Sequence, residues 1–264
     1  RITSRNQNLI REEFYMPGIY AIADPHLPVR TQVKRYGVPD DYFARLSEDL
    51  EKKKPDVLLI AGDLIWGSNF QEIQEGLNLL RALPGKTKFF LEGNHDIWVE
   101  SLGNSFYKTQ KKMYKEFSTL DFYYIGGRAS IFSINSTKVG ICGARGFAFE
   151  AINKPTEEDL KLQKLELKVL DKALSQLNEM VKIEQTTMNL CLLHYPPTVN
   201  VFNNPRFGGE VFLNHIYNSK LINKVIYGHV HIEKDLQLYA KIKNVELYCA
   251  SINLHNYNGI KIFD

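Results

Sequence analysis

The stretch FFLEGNHDIW, Phe89 to Trp98, changes character in its middle: an apolar, β-prone run gives way at Gly93 to an amide, an imidazole and a carboxylate in succession. Runs that are apolar on both faces belong to strands buried between layers. Gly, Asn and Asp also favour turns. Asn94, His95 and Asp96 are therefore either a simple turn or one part of a site, and the rest of the chain decides between the two.

Reading outward, the same alternation recurs. Strands are expected at residues 19–23, 57–61 and 89–91, each followed by a helical pattern, at 41–54, 71–82 and 101–117. Strand and helix in turn is the logic of a parallel α/β sheet. Three closely spaced strand candidates follow at 122–125, 129–134 and 138–142, and their short separations predict antiparallel pairing. A long helix is expected over 155–181. Pro155 suits its start, Thr156 with Asp159 resembles a capping box, and Glu157 and Glu158 complement the positive helix end. Within it Leu167, Leu170, Leu174, Leu177 and Val181 form one apolar stripe, read as core packing. Strands return at 188–193, 224–227, 236–240, 245–249 and 259–263. This order fits one α/β domain over residues 16–264, with two packed sheets and outer helices. Residues 1–15 have no clear period and are expected to be an extension, with Met16 the natural start.

Composition excludes several classes. With 44% hydrophobic and 24% charged residues among 264, the chain is ordinary for a globular protein and not disordered. A net charge of +3 is too mild to argue for nucleic acid, and the basic clusters at 52–54 and 108–115 read as solvated helix surface. Cys142, Cys191 and Cys249 lie in apolar, strand-like segments without the paired spacing of a zinc ribbon or disulfide scaffold, as expected of a cytoplasmic protein. No apolar run approaches the ~18 residues that span a bilayer.

Polar groups close five of the strands. Asp24 and His26 end the first, Asp63 the second, Asn94, His95 and Asp96 the third; His194 ends the strand at 188–193, and His229 and His231 the strand at 224–227. In α/β sheets ligands bind beyond the carboxyl ends of the strands, so groups distant in sequence can converge there. Imidazoles, carboxylates and an amide oxygen, with no thiolate, suit divalent metals such as Mn, Fe, Co or Zn. Two metals fit the set better than one, because a single tetrahedral zinc needs about three or four protein ligands. Seven candidates are present: Asp24, His26, Asp63, Asn94, His194, His229 and His231.

Taken together, DPH, GDLIW, GNHD, LLHYPP and GHVH, from Asp24 to His231, resemble the calcineurin-like metallophosphoesterases. The GDLIWG and ICGARGF stretches are similar to a poorly characterised branch of predicted phosphohydrolases in that superfamily. The resemblance implies a four-layer α-β-β-α sandwich with mixed sheets, and a metal-dependent phosphoesterase acting on a small phosphomonoester or phosphodiester. It implies one metal on Asp24, His26 and His231, a second on Asn94, His194 and His229, and Asp63 bridging both. Manganese comes first among the metals, then Fe, Zn, Co or Ni. A hydroxide shared by the two metals would attack phosphorus in line with the leaving group. His95 would then protonate the leaving oxygen, Asp96 would orient His95, and Arg145 would bind a substrate phosphate together with Asn94 and His95. Trp66 departs from the pattern, standing where many members carry Asp or Asn. A nuclease on the same chemistry and a non-catalytic scaffold that kept the fold remain as alternatives.

Overall fold

A computed structural model describes residues 18–97, 106–148, 155–198, 210–231 and 236–264. The expected extension at 1–15, the Met16 start and Trp98 lie outside the described residues.

Four parallel strands, β1 (Ile19–Ile22), β2 (Val57–Ala61), β3 (Thr87–Leu91) and β4 (Tyr123–Tyr124), form one sheet, with the last strand, β11 (Ile260–Phe263), antiparallel on its edge. The second sheet runs β5 (Arg128–Ile134), β6 (Thr137–Ala144), β7 (Met188–Leu193), β8 (Lys224–Tyr227), β10 (Val245–Cys249) and β9 (Tyr239–Ile242). Its four central strands are parallel; β5 and β9 close the edges antiparallel. One expectation is corrected here. β4 pairs parallel with β3 in the first sheet and not antiparallel with β5. Short separation means pairing only when the chain stays in one sheet, whereas Ile125–Gly127 carry it from one sheet to the other, through the bridge from Gly126 to Gly143.

The two sheets face each other across an apolar layer in which Ile19, Leu59, Phe89, Ile141, Leu190 and Ile226 are buried. Outside the first sheet pack α2 (Tyr42–Lys53) through Leu46 and Leu50, α3 (Phe70–Ala82) through Ile73 and Leu77, and α4 (Phe106–Phe117) through Met113. Outside the second lies α5 (Glu157–Glu184), whose Leu170, Leu174 and Leu177 are buried, beside α6 (Val211–Ser219). The result is the four-layer α-β-β-α sandwich. The Thr156 capping box forms as its sequence predicts: the hydroxyl accepts from the Asp159 amide, and the Asp159 carboxylate accepts from the Thr156 amide. Two helices escaped the periodicity reading, α6 and the short α1 (Val29–Tyr36), which begins directly after the first polar cluster. Among the described residues no helix is long and apolar enough to cross a membrane.

Because the two sheets share this dry layer, shortening a side chain within it leaves a cavity that neither sheet can close. Leu59 is fully buried there. Leu59→Ala is expected to lower the unfolding free energy of the metal-free protein by about 2–5 kcal/mol, read as a shifted urea midpoint at unchanged slope.

Candidate metal centre

All seven candidate ligands come to the same rim of the sandwich. Asp24 and His26 leave β1, Asp63 leaves β2, Asn94 leaves β3, His194 leaves β7, and His229 and His231 leave β8. Ligand atoms of Asp24, His26 and His231 lie within 4.8 Å of one another, as do those of Asp63, His194 and His229. Asn94 joins the second group, its Oδ1 2.9 Å from His194 Nε2. Asp63 stands between the groups: Oδ1 is 3.5 Å from His194 Nε2, and Oδ2 is 3.8 Å from His26 Nε2.

The backbone accepts unfavourable geometry to achieve this. Asp24, His26, Asp63 and His229 have φ of 58°, 45°, 50° and 71°. Left-handed conformations in residues other than glycine cost about 1 kcal/mol or more each and gather at functional sites, where the surrounding fold enforces them. Two glycines make the close approach possible. A Cβ on Gly93 would collide with the Asp63 carboxylate, and one on Gly228 would lie 2.5 Å from the Ala23 Cβ and 2.8 Å from Asp24 Oδ2.

Hydrogen bonds aim the groups inward. His194 Nδ1 donates to the Ala61 carbonyl at 3.1 Å, so Nε2 carries the lone pair facing Asp63 and Asn94. Asn253 Nδ2 donates to the His231 carbonyl, which turns its oxygen toward His231 Nδ1, 3.0 Å away. His231 Nε2 is thereby left as an acceptor beside His26 Nε2, 3.2 Å from it. Asp24 accepts from the Ser251 hydroxyl at 2.6 Å and from the His229 amide at 2.9 Å.

Electrostatics leave the assembly short of positive charge. Burial raises Asp63 well above the ordinary carboxylate range, and the neighbouring Asp24 and Asp96 raise it further. Burial pushes Asp24 up to about 6 against the counteracting His231, Ser251 and His229 amide. His26 and His194 are held well below the ordinary imidazole value, first by burial and then by neighbouring imidazoles. Asp63 Oδ2 is buried with no hydrogen-bond partner. A buried carboxylate oxygen without a donor is costly. Two ligands about 2.1 Å from one cation, at angles between tetrahedral and octahedral, lie about 3.0–3.4 Å apart. The 3.2 Å separations of His26 from His231 and of His194 from His229 match that spacing. The residues therefore fit divalent cations by donor type, by orientation and by the unmet charge between them.

Three residues singled out in the sequence sit differently from expectation. Asp96 does not orient His95: its oxygens accept from the amides of Gly93, Leu64 and Ile65 at 2.7, 3.2 and 2.7 Å. It ties the loop after β2 to the loop after β3. Its carboxyl is pushed up to about 7 by burial, against those three amides. The His95 ring instead stacks on Trp66, with centroids 3.5 Å apart, and its Nε2 lies 3.9 Å from Asp63 Oδ2. Arg145 reaches the centre through its carbonyl, which accepts from the His194 and Tyr195 amides. Its guanidinium pairs with Glu166 at 2.5 Å and lines a cavity of about 730 Å³ with Glu92, Tyr114 and Tyr124, a cavity that none of the seven ligand candidates lines. The phosphate contact expected of Arg145 would draw its guanidinium away from Glu166. Ser251 and Asn253 were missed, although they stand two and four positions past the end of β10 and the strand-end rule that found the others points to them as well.

The family model of the calcineurin-like phosphoesterases matches residues 18–233, so the chain belongs to that family and, by class, is a metal-dependent hydrolase of phosphoester bonds. No curated protein matches the sequence. Among solved structures, the phosphopantetheinyl hydrolase of Mycobacterium tuberculosis is similar with a TM-score of 0.58 at 12% identity, over 94% of this chain and 96% of that one. A putative 5′-nucleotidase from Staphylococcus aureus follows at 0.54 and 13%, over 88% of this chain and 48% of that one. GAP50, the anchor in the inner membrane complex of Plasmodium, gives 0.51 and 11%, over 89% and 71%. At such identities the likeness is one of fold.

Cations and protons compete for the same carboxylates, which sets the sign of a pH effect. In the metal-free protein, folded Asp24 keeps its proton to about pH 6 while the unfolded group loses it near 3.8, so its contribution to stability declines as pH rises through that window. Cation binding must displace the protons on Asp24 and Asp63. Apparent affinity for Mn is therefore expected to weaken steadily from pH 8 to pH 5, with proton release on binding. Titration calorimetry in buffers of different ionisation enthalpy checks this, and pH-independent binding without proton release would contradict it.

Proposed function

We propose that this chain hydrolyses a small phosphate monoester or diester at a pair of divalent cations, one held by Asp24, His26 and His231, the other by Asn94, His194 and His229, with Asp63 shared. The observation that carries this reading is the fully buried Asp63 carboxylate, which lies between two groups of imidazoles and has one oxygen without a partner. Bound there, the cations supply Lewis acidity toward water and toward phosphate oxygens.

The remaining work falls to the chain itself. His95 lies beside Asp63 without belonging to either ligand group, and it holds a proton for the leaving oxygen. Trp66 braces that ring by stacking, in the place where many relatives carry a carboxylate or amide. Asp96 keeps the loops of Asp63 and Asn94 in register through three amides. Asn94 offers its amide nitrogen to a phosphate oxygen while its oxygen faces His194. Manganese is the cation we assign first, the oxygen and imidazole donors serving Fe, Zn, Co and Ni as well. Three buried cysteines without disulfides support a cytoplasmic setting. The mild charge gives no support to a nuclease. A scaffold has no need of inward-facing ligand types at five strand ends, four of the residues on left-handed backbone, so the intact site favours an enzyme.

The reading is tested with an aryl phosphomonoester and the matching diester, assayed in Mn, Co, Fe and Zn after chelation. Turnover that chelation abolishes and metal restores is expected for at least one of them; none under any metal would reject the proposal. His95→Ala is expected to retain its metal content by elemental analysis and to lose about 10²–10⁴-fold in kcat. An unchanged rate removes His95 from the reaction.

A further inference from the structure

Beside the centre opens a cleft of about 430 Å³, lined by Asp24, His26 and His231 on one side and by His95 and Trp66 on another. That volume lies within the range of small-molecule sites. Its remaining wall is largely ring and aliphatic surface, with Tyr42, Tyr257, Val38 and Ile252 facing the same space. Tyr42 and Tyr257 pack with centroids 5.4 Å apart, and the Tyr42 hydroxyl is already occupied by the Pro25 carbonyl. Tyr257 has φ of 62° and follows Asn256 at 52°, two left-handed residues in a row. These residues close the short helix Ile252–His255, the Tyr257 amide donating to the Ile252 carbonyl at 2.7 Å, and so fix the Tyr257 ring at the cleft.

Outside the imidazoles at the centre, one polar side chain lining the cleft is unmet among the described residues. Gln32, on α1, is 4% exposed, lines the cleft, and its Nε2 has no hydrogen-bond partner. A buried amide donor left in this condition favours a ligand that brings an acceptor. On the phosphoesterase reading His95 serves the leaving oxygen, and since it lines the same cleft, an occupant of this space would lie on the leaving-group side.

We infer that this cleft selects the leaving group of the substrate: a flat, unsaturated ring carrying a hydrogen-bond acceptor, packed against Trp66 and Tyr257 and held by the Gln32 amide. The inference rests on the phosphoesterase reading above. It adds substrate class to that reading and makes Gln32, Trp66 and Tyr257 specificity-determining residues.

The test compares cyclohexylmethyl, benzyl, 3-pyridylmethyl and 4-pyridylmethyl phosphate on the metal-restored protein. All four release primary alcohols; because the ring and its nitrogen also change leaving-group acidity, each ratio is compared with the same ratio in the Gln32 and Trp66 variants, where that intrinsic contribution is unchanged. We expect kcat/KM to rise about 2- to 10-fold from cyclohexylmethyl to benzyl, through ring packing. A further rise of about 2- to 10-fold is expected for at least one pyridylmethyl ester, through the Gln32 donor. Gln32→Leu, or Gln32→Met should the first fail to fold, is expected to lower the pyridylmethyl to benzyl ratio by that same factor of about 2 to 10, and an unchanged ratio overturns the role of Gln32. Trp66→Leu is expected to shrink the benzyl to cyclohexylmethyl ratio. A readout independent of turnover is saturation transfer to the ring protons of the pyridylmethanols in chelated protein, expected for the natural chain and lost in the Gln32 variant. Equal kcat/KM for all four esters, or no saturation transfer, overturns the inference and leaves the phosphoesterase reading standing. No turnover of any ester, aryl phosphates included, overturns both.

Discussion

Asp63 carries a carboxylate that is fully buried, within 3.5 to 3.9 Å of three imidazole nitrogens, and flanked by the carboxyls of Asp24 and Asp96. In the absence of a cation four groups of this assembly are driven toward their neutral forms: the carboxyls of Asp24 and Asp63 hold protons longer, and the imidazoles of His26 and His194 lose theirs sooner. Divalent cations reverse that situation at once, by satisfying charged carboxylates and neutral imidazoles in one step. The rest of the structure can be understood as the means of forcing these groups together.

Those means are mainly hydrophobic. Three apolar layers, one between the sheets and one beneath the helices on either side, fix the strands and hence the points where their ends emerge. Four ligand candidates in left-handed backbone are tolerable only because strands on both sides leave the loops no alternative. Asp96 adds a local lock, since one carboxylate accepting three amides from two loops keeps Asp63 and Asn94 in fixed relation. The cleft beyond Trp66 and His95 is shaped by the same loops together with α1 and the turn after β10, so the elements that gather the ligands also shape the space beside them.

Much of this was legible in the sequence, because the signals are local. An apolar strand that ends in Gly-Asn-His or Gly-His-Val-His marks both its direction and a candidate site, and the capping box of α5 is written in four residues. The crossing between sheets at Ile125–Gly127 was not legible, because residue spacing does not say which sheet a strand joins. Asp96 was found but given the wrong partner, and Arg145 is paired with Glu166: whether a side chain turns to a backbone amide, to another side chain or to the site depends on neighbours distant in sequence. Gln32, Trp66 and Tyr257 meet only through tertiary packing, with 33 and 190 residues between consecutive members of the set. A single sequence holds no periodic or spacing signal for such a meeting.

The central claim is that one carboxylate serves two cations, and magnetic coupling reads this directly. When the protein is chelated and then reconstituted with Mn(II), the account predicts two ions per chain and an electron paramagnetic resonance spectrum broadened by exchange between them, as for metals about 3.5–4 Å apart. The Asp63→Asn variant should lose that coupling. One ion per chain, or two with the spectrum of isolated Mn(II), would contradict the account.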